Sequence, residues 1–374
     1  MKLKGFGANI SLLLGSTLFC ILIAETFFYF LDRPSQAYPV VFYKTEDPSI
    51  TLWCYDDHFA GIPDWDLRQD HPFETLTYAG NTDDDPALEE LPPQHVPNAI
   101  EVRNNEFNFR ARPFAQLEQE GLQSTVALLI GDSFCFGQGV RLEERFSNIL
   151  EKKLNTSRQD STEQKHLLIN LCAAGMNIRR ISQVMQQSVE HFDQAQRVIY
   201  SFTLNDPVMS REVFEMQKYI NDFMHFRQTR FSSNFHSMLA RLPSPTIRWV
   251  TERIIMNQVS RDTIEWYRQM YRDNAGWRQT QKVLLEMHRF CAARGVELTL
   301  VVFPIYYRLK DYPLEEVHQT LAQFARQNGI HYIDLLEIFA GANEMDYWVH
   351  PRDFHPNTRA HREVAEFLYS AIPW

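Results

Sequence analysis

Basic residues are in deficit along this chain of 374 residues: 37 Lys and Arg stand against 47 Asp and Glu, a formal net charge of −10. A polyanion binder displaces counterions with clustered Lys and Arg. No basic run or aromatic nucleic-acid motif provides that here, so nucleic acid is excluded as a partner. Cysteine is sparse, five residues without a Cys-x-x-Cys pair. Cys20 falls in an apolar run at the N-terminus, leaving Cys54, Cys135, Cys172 and Cys291. Three of these four sit in apolar segments and read as buried thiols, and an odd count specifies no disulfide pairing. Cofactor signatures are missing as well. There is no Gly-Lys-Ser/Thr loop, and "GQG" at 137–139 lacks the third glycine and following acid of a dinucleotide site, so no cofactor is expected. His350, His355 and His361 with Asp346 and Asp353 would not gather on one helix face, so no metal is expected either. The absence of a Gly-x-Ser-x-Gly elbow removes the α/β-hydrolase route to a serine nucleophile.

What is present begins with twenty uncharged residues, Gly5 to Ala24, whose apolar character continues past Glu25 to Leu31. That length crosses a bilayer as a helix. Lys2, Lys4 and the terminal amine precede it and an acidic segment follows, which by the positive-inside rule puts the bulk of the chain outside the cytoplasm. The run exceeds a usual signal-peptide core and no Ala-x-Ala-like site closes it, so we expect an uncleaved anchor over 1–33, with the competing reading a cleaved signal peptide. The expected location is the inner membrane, single-pass, with the main domain on the periplasmic side.

Residues 34–120 are rich in proline and include the acidic "NTDDDPALEELPPQHVPNA" (81–99), which reads as a stalk and irregular arm. The arm ends in "NNEFNFRARPF" (104–114), either a clamp on the main domain or part of a substrate rim. From 121 to 374 the pattern changes. Short β-rich runs at 124–130, 166–172, 197–203, 296–304 and 331–335 alternate with helical stretches near 143–154, 178–194, 276–294, 314–328 and 358–371. Such alternation predicts an α/β fold, a parallel sheet of about five strands covered on both faces. Some ninety residues separate the third and fourth strands, which predicts a helical insertion over 207–275. Within it, 223–253 carries five Arg against one Glu, suited to a lid, to lipid headgroups, or to a solvated cap.

Ligands of open parallel sheets bind beyond the carboxyl ends of the strands. Ser133 follows the first strand, Gly175 the second, Asn205 the third, and Asp353 and His355 the fifth. Ester cleavage by a serine needs a hydroxyl, a base, a group that fixes the base's tautomer, and donors for the oxyanion. Ser133, His355 and Asp353 would be the first three. The backbone N–H of Ser133, the N–H of Gly175 and the amide of Asn205 would be the donors.

The four blocks "GDSFCFGQGV", "NLCAAGMN", "TLND" and "DFHPN" resemble the SGNH hydrolases, the GDSL-like esterase and lipase family, of membrane-anchored bacterial type. Two positions depart: Thr203 stands where glycine is usual, and the acid lies two residues before His355, with Arg352 in the usual place. The resemblance implies a three-layer α/β/α flavodoxin-like fold and a metal-free esterase acting through an acyl-enzyme on an ester-bearing glycan or lipid, with acetate the acyl group. Two alternatives stay open: an O-acyltransferase using the same site for envelope polysaccharide, and a catalytically silent glycan-binding envelope protein.

Overall fold

A computed structural model describes residues 17, 20–27, 40–44, 49–55, 100–157, 164–218, 244–272, 274–350 and 353–374. The chain divides into two compact units, one of Met1–Ala37 with Glu215–Glu265, the other of Tyr38–Phe214 with Trp266–Trp374. Residues 215–265 cluster with the N-terminal segment, because contacts rather than chain order define a unit.

The larger unit is built on strands β4 (Ser124–Gly131), β5 (Lys165–Asn170), β6 (Ala195–Phe202), β7 (Glu297–Val302) and β8 (His331–Asp334). All neighbours pair in parallel, in the order β5-β4-β6-β7-β8. This is the flavodoxin-like order, whose switch point lies at the carboxyl end of the first strand, here β4. Strand β4 is continuous Val, Ala, Leu and Ile from Val126 to Ile130, each at most 5 % exposed, because a central parallel strand is covered on both faces. Burying each of its larger aliphatic side chains contributes about 1.5–3 kcal/mol.

The covering helices follow the apolar period. In Ile178–His191, Ile178, Ile181, Val184, Met185, Ser188 and Val189 are buried, an i, i+3, i+4, i+7 stripe. Asn177 caps its start by accepting from the N–H groups of Arg179 and Arg180. Phe146–Thr156, Ala275–Ala292, Glu315–Gln327 and Thr358–Ala371 complete the layers, near the positions the periodicity predicts.

Two features differ from the sequence reading. The arm is not wholly irregular: β1 (Val40–Lys44), β2 (Ile50–Tyr55) and β3 (Ile100–Arg103) form an antiparallel sheet, each strand too short to carry a period of its own. Beyond β8, β9 (Trp348–His350) and β10 (Asp353–Pro356) form a separate antiparallel pair. No apolar run announced that pair.

The segment 104–114 is a clamp. Arg110 is 1 % exposed and donates to the carbonyls of Gly137 (2.9 Å) and Glu101 (3.1 Å), joining β3 to the turn beyond Ser133. Arg112 pairs with Glu120 and Glu151, and the ring of Phe114 lies 5.3 Å from that of Phe192.

In the smaller unit, the hydroxyl of Ser244, the residue immediately before the helix Pro245–Tyr271, donates to the carboxylate of Glu25. Among the described residues no helix is long and apolar enough to cross a membrane. Most of the apolar run from Gly5, and most of the Arg-rich stretch from 223, lies outside the described residues.

Candidate active site

The turn after β4 divides its polar work between two neighbours. Asp132 is the N-cap of the short helix Ser133–Phe136 and accepts from the N–H of Phe134 (3.2 Å). Ser133 is thus relieved of capping, and its Oγ lies 2.9 Å from Nε2 of His355. Gly137 ends the helix in the left-handed region at φ 78°, a common helix terminus that costs glycine little. A Cβ on Gly131 would lie 2.5 Å from the carbonyl oxygen of Ser201, so strand and turn approach too closely for any larger residue.

His355 and Asp353 both project from β10, and Nδ1 of the ring is hydrogen-bonded to Oδ1 of Asp353. That bond places the imidazole proton on Nδ1 and leaves Nε2 to accept from Ser133. The second carboxylate oxygen accepts from Nε2 of Gln138 (3.3 Å), a residue 215 positions away that sequence reasoning had no signal to select. The hairpin is held from behind. Asn357 caps the last helix, Thr358–Ala371, through its side-chain oxygen and donates from Nδ2 to the carbonyls of Asp346 (2.9 Å) and Trp348 (3.1 Å). The ring of Phe134 meets that of His355 edge-on at 5.4 Å.

The carboxylate side chain of Asp353 is 6 % exposed and the His355 ring 23 %, so the dyad is shielded while the ring retains an open edge. Burial works against the imidazolium, but the charge and hydrogen bond of Asp353, with Asp132 behind, outweigh it and raise the pKa of His355 above its ordinary 6.5. A base must be neutral to accept the serine proton. We therefore expect kcat/KM for ester hydrolysis to fall on the acid side through an apparent pKa above 6.5. Asp353→Asn should move that limb to lower pH while lowering the plateau, which a pH–rate profile on p-nitrophenyl acetate would reveal.

Gly175 and Asn205 stand in the turns on either side of Ser133, because β5 and β6 flank β4. Gly175 adopts φ +76° with open space where a Cβ would project. Its turn is tied inward by the N–H of Ala173 donating to the carbonyl of Gly131 (3.2 Å). The Asn205 side chain favours the charged form of the Asp132 carboxylate, and the N–H of Ile178 donates to the carbonyl of Asp206 (3.1 Å), joining the two outer turns. Thus Ser133, His355 and Asp353 are in direct contact, and Gly175 and Asn205 are held on the turns beside them.

Beneath Asn205 lies a polar cluster that the sequence did not disclose. Asp206 is 1 % exposed and accepts from the hydroxyl of Thr203 (2.7 Å), the N–H of Thr203 (3.0 Å) and the hydroxyl of Tyr200 (2.9 Å). Thr203 supplies two of these three donors, its hydroxyl and its backbone N–H. Burial, then the neighbouring Asp132 charge, pushes the Asp206 carboxyl well up; burial likewise raises Asp132. Thr203→Val removes one donor from a buried acid, and we expect a loss of about 1–2 kcal/mol in urea unfolding.

Cys135 and Cys172 are joined by a disulfide, Cα atoms 5.8 Å apart, which corrects the expectation of buried thiols for these two. The residues follow adjacent parallel strands, so the sheet brings together what the sequence separates by 37 positions. Cys291 is buried and free. Among the described residues no group of His, Cys, Asp and Glu is arranged to hold a metal.

A hydroxyl, an imidazole and a carboxylate in this order can generate an alkoxide-like nucleophile without a cofactor. No family model matches the chain, and no curated protein matches it. Among solved structures, the chain is similar to an acetylxylan esterase from Geobacillus stearothermophilus (14% identity, 67% of this chain and 95% of that one, TM-score 0.38). It is also similar to a putative lipolytic G-D-S-L protein from Desulfitobacterium hafniense (12%, 67% and 100%, 0.38) and to the protein TesA (14%, 66% and 97%, 0.38). At such identities and TM-scores no family follows from them.

Proposed function

We propose that the chain is a serine esterase that removes small acyl groups, acetate foremost, from an extracytoplasmic glycan or lipid. The carrying observation is the 2.9 Å contact between Ser133 Oγ and His355 Nε2, with Asp353 on the ring's other nitrogen. Ser133 attacks the ester carbonyl as His355 takes its proton. Asp353 steadies the imidazolium, and the N–H groups of Ser133 and Gly175 with the Asn205 amide receive the oxyanion. His355 then protonates the leaving alcohol, draws a proton from water, and the acyl-enzyme is hydrolysed.

Membrane anchoring and a periplasmic location belong to the same proposal. Three observations support them: the uncharged run Gly5–Ala24, the exposure of Ile21, Leu22, Ile23 and Phe27 at 51–63 %, and the disulfide, a bond that persists in oxidising compartments. The decisive test uses the full chain in detergent micelles, since Met1–Ala37 clusters with 215–265. A fluorophosphonate should label Ser133, and acetate should be released from acetylated polysaccharide. Absence of labelling would overturn the serine mechanism; acyl transfer to an added sugar in place of hydrolysis would overturn the hydrolase assignment.

A further inference from the structure

We infer that the Cys135–Cys172 disulfide is a positioning element of the catalytic site, holding the oxyanion donors at their working separation. The inference rests on the esterase reading above. Cys135 lies two residues after Ser133 and Cys172 three residues before Gly175, and both are 0 % exposed. The bond therefore crosses from the turn that carries the nucleophile to the turn that carries a second N–H donor.

Its surroundings reinforce the same join. Asn170, 4 % exposed, donates from Nδ2 to the carbonyl of Cys135 (2.9 Å) and to Oγ of Ser147 (3.0 Å), and accepts from the N–H of Cys172 (3.1 Å). A Cβ on Gly131 would come within 2.6 Å of the Cys135 sulfur, so the sulfur fills the space beneath the nucleophile turn. Toward Gly175, by contrast, the surroundings are open. Gly175 is exposed, in the left-handed region, with no atom near enough to steady a Cβ. Between Cys172 and the capped start of the helix at Ile178, the turn is pinned to the rest of the domain by the Ala173–Gly131 bond. Without the disulfide the covalent join between the two turns is lost, and the Gly175 N–H can shift relative to that of Ser133 within the play that the backbone bonds leave. A donor displaced by about 1 Å can cost on the order of 100-fold in rate, because transition-state charge is stabilised only at the right distance.

Opening the bond is a two-electron step. Dithiothreitol gives up two electrons and two protons, closes to its own cyclic disulfide, and leaves thiols on Cys135 and Cys172. In the native full chain, we expect this reduction to lower kcat on p-nitrophenyl acetate about 10- to 100-fold, with KM within about twofold, because the lost contact is made to the transition state. Reoxidation by oxidised glutathione should restore kcat. Cys135→Ala/Cys172→Ala should reproduce the loss, and Cys291→Ala should not.

If the double variant fails to fold, reduction of the wild-type protein at a temperature where circular dichroism is unchanged gives the same comparison. Unaltered kcat with both thiols alkylated, or a lowered Tm with unaltered kcat, would overturn the inference and leave the Ser133 mechanism standing. Finding both thiols alkylated in denatured, unreduced protein would overturn it too. Activity retained by Ser133→Ala would instead remove the esterase reading itself.

Discussion

Ser133→Ala is expected to lower kcat on p-nitrophenyl acetate by on the order of 10⁴- to 10⁶-fold, with unfolding behaviour little changed. The residue heads a four-residue helix whose capping is done by Asp132, so deleting its hydroxyl removes the nucleophile without removing a cap. His355→Ala should be comparably severe, because the hydroxyl then has no acceptor at 2.9 Å. The losses should not add: Ser133→Ala/His355→Ala should be about as slow as either single variant, since the residues act as one unit. Asn205→Ala leaves that unit intact and removes one proposed oxyanion donor, so a loss of about 100- to 1000-fold is expected. Steady-state kinetics on the four variants checks this ordering. A Ser133→Ala protein with wild-type kcat would end the mechanism.

The second large effect concerns His361, fully buried in the same unit, and appears in stability rather than rate. Its Nδ1 accepts from the N–H of Phe146, the first residue of the helix Phe146–Thr156, and its ring stacks on that of Phe146 at 5.8 Å. Arg145 makes no side-chain cap there, so the imidazole supplies the acceptor that the helix start lacks. A proton on Nδ1 would break that bond and place a buried charge near Arg145 and Arg110. Burial first, then those two arginines, depress the pKa of His361 from 6.5 to about 3.

The unfolded chain therefore binds a proton that the folded chain refuses between these values. The His361 contribution to stability is present above pH 6.5 and is lost as pH falls toward 3, by about 1.4 kcal/mol per pH unit and on the order of 3 kcal/mol by pH 4. His361→Gln removes the titrating group. Urea unfolding should show the wild-type protein more stable at pH 7.5 and the two curves converging on acidification; parallel curves would show that His361 does not titrate on unfolding.

Several of these residues are legible in the sequence, for identifiable reasons. A strand in the middle of a parallel sheet is apolar throughout, so Val126–Ile130 stands out, and the polar residues that end such runs collect at one edge of the sheet. Ser133, Gly175 and Asn205 stand out that way; Asp353 and His355, expected at the end of the fifth strand, stand instead on the hairpin β9–β10 of a separate sheet. Gln138 does not stand out, since its bond to Asp353 spans 215 positions and its type occurs on any surface. Thr203 looked like a departure from a pattern. Only the burial of Asp206 shows why a hydroxyl belongs there. The cysteines were misread for a related reason: an apolar neighbourhood suits a buried thiol and a buried disulfide equally, and pairing depends on which strands are adjacent.

By itself the sequence determined the alternation of strands and helices and the short list of residues able to do chemistry, because period and local polarity are properties of neighbouring positions. The tertiary structure alone decided the strand order β5-β4-β6-β7-β8, the union of 215–265 with the N-terminal segment, the hairpin that aims His355 at Ser133, and the bond between Cys135 and Cys172. Each of these is a contact between distant segments, selected by the burial of whole faces at once, and no local pattern carries that information.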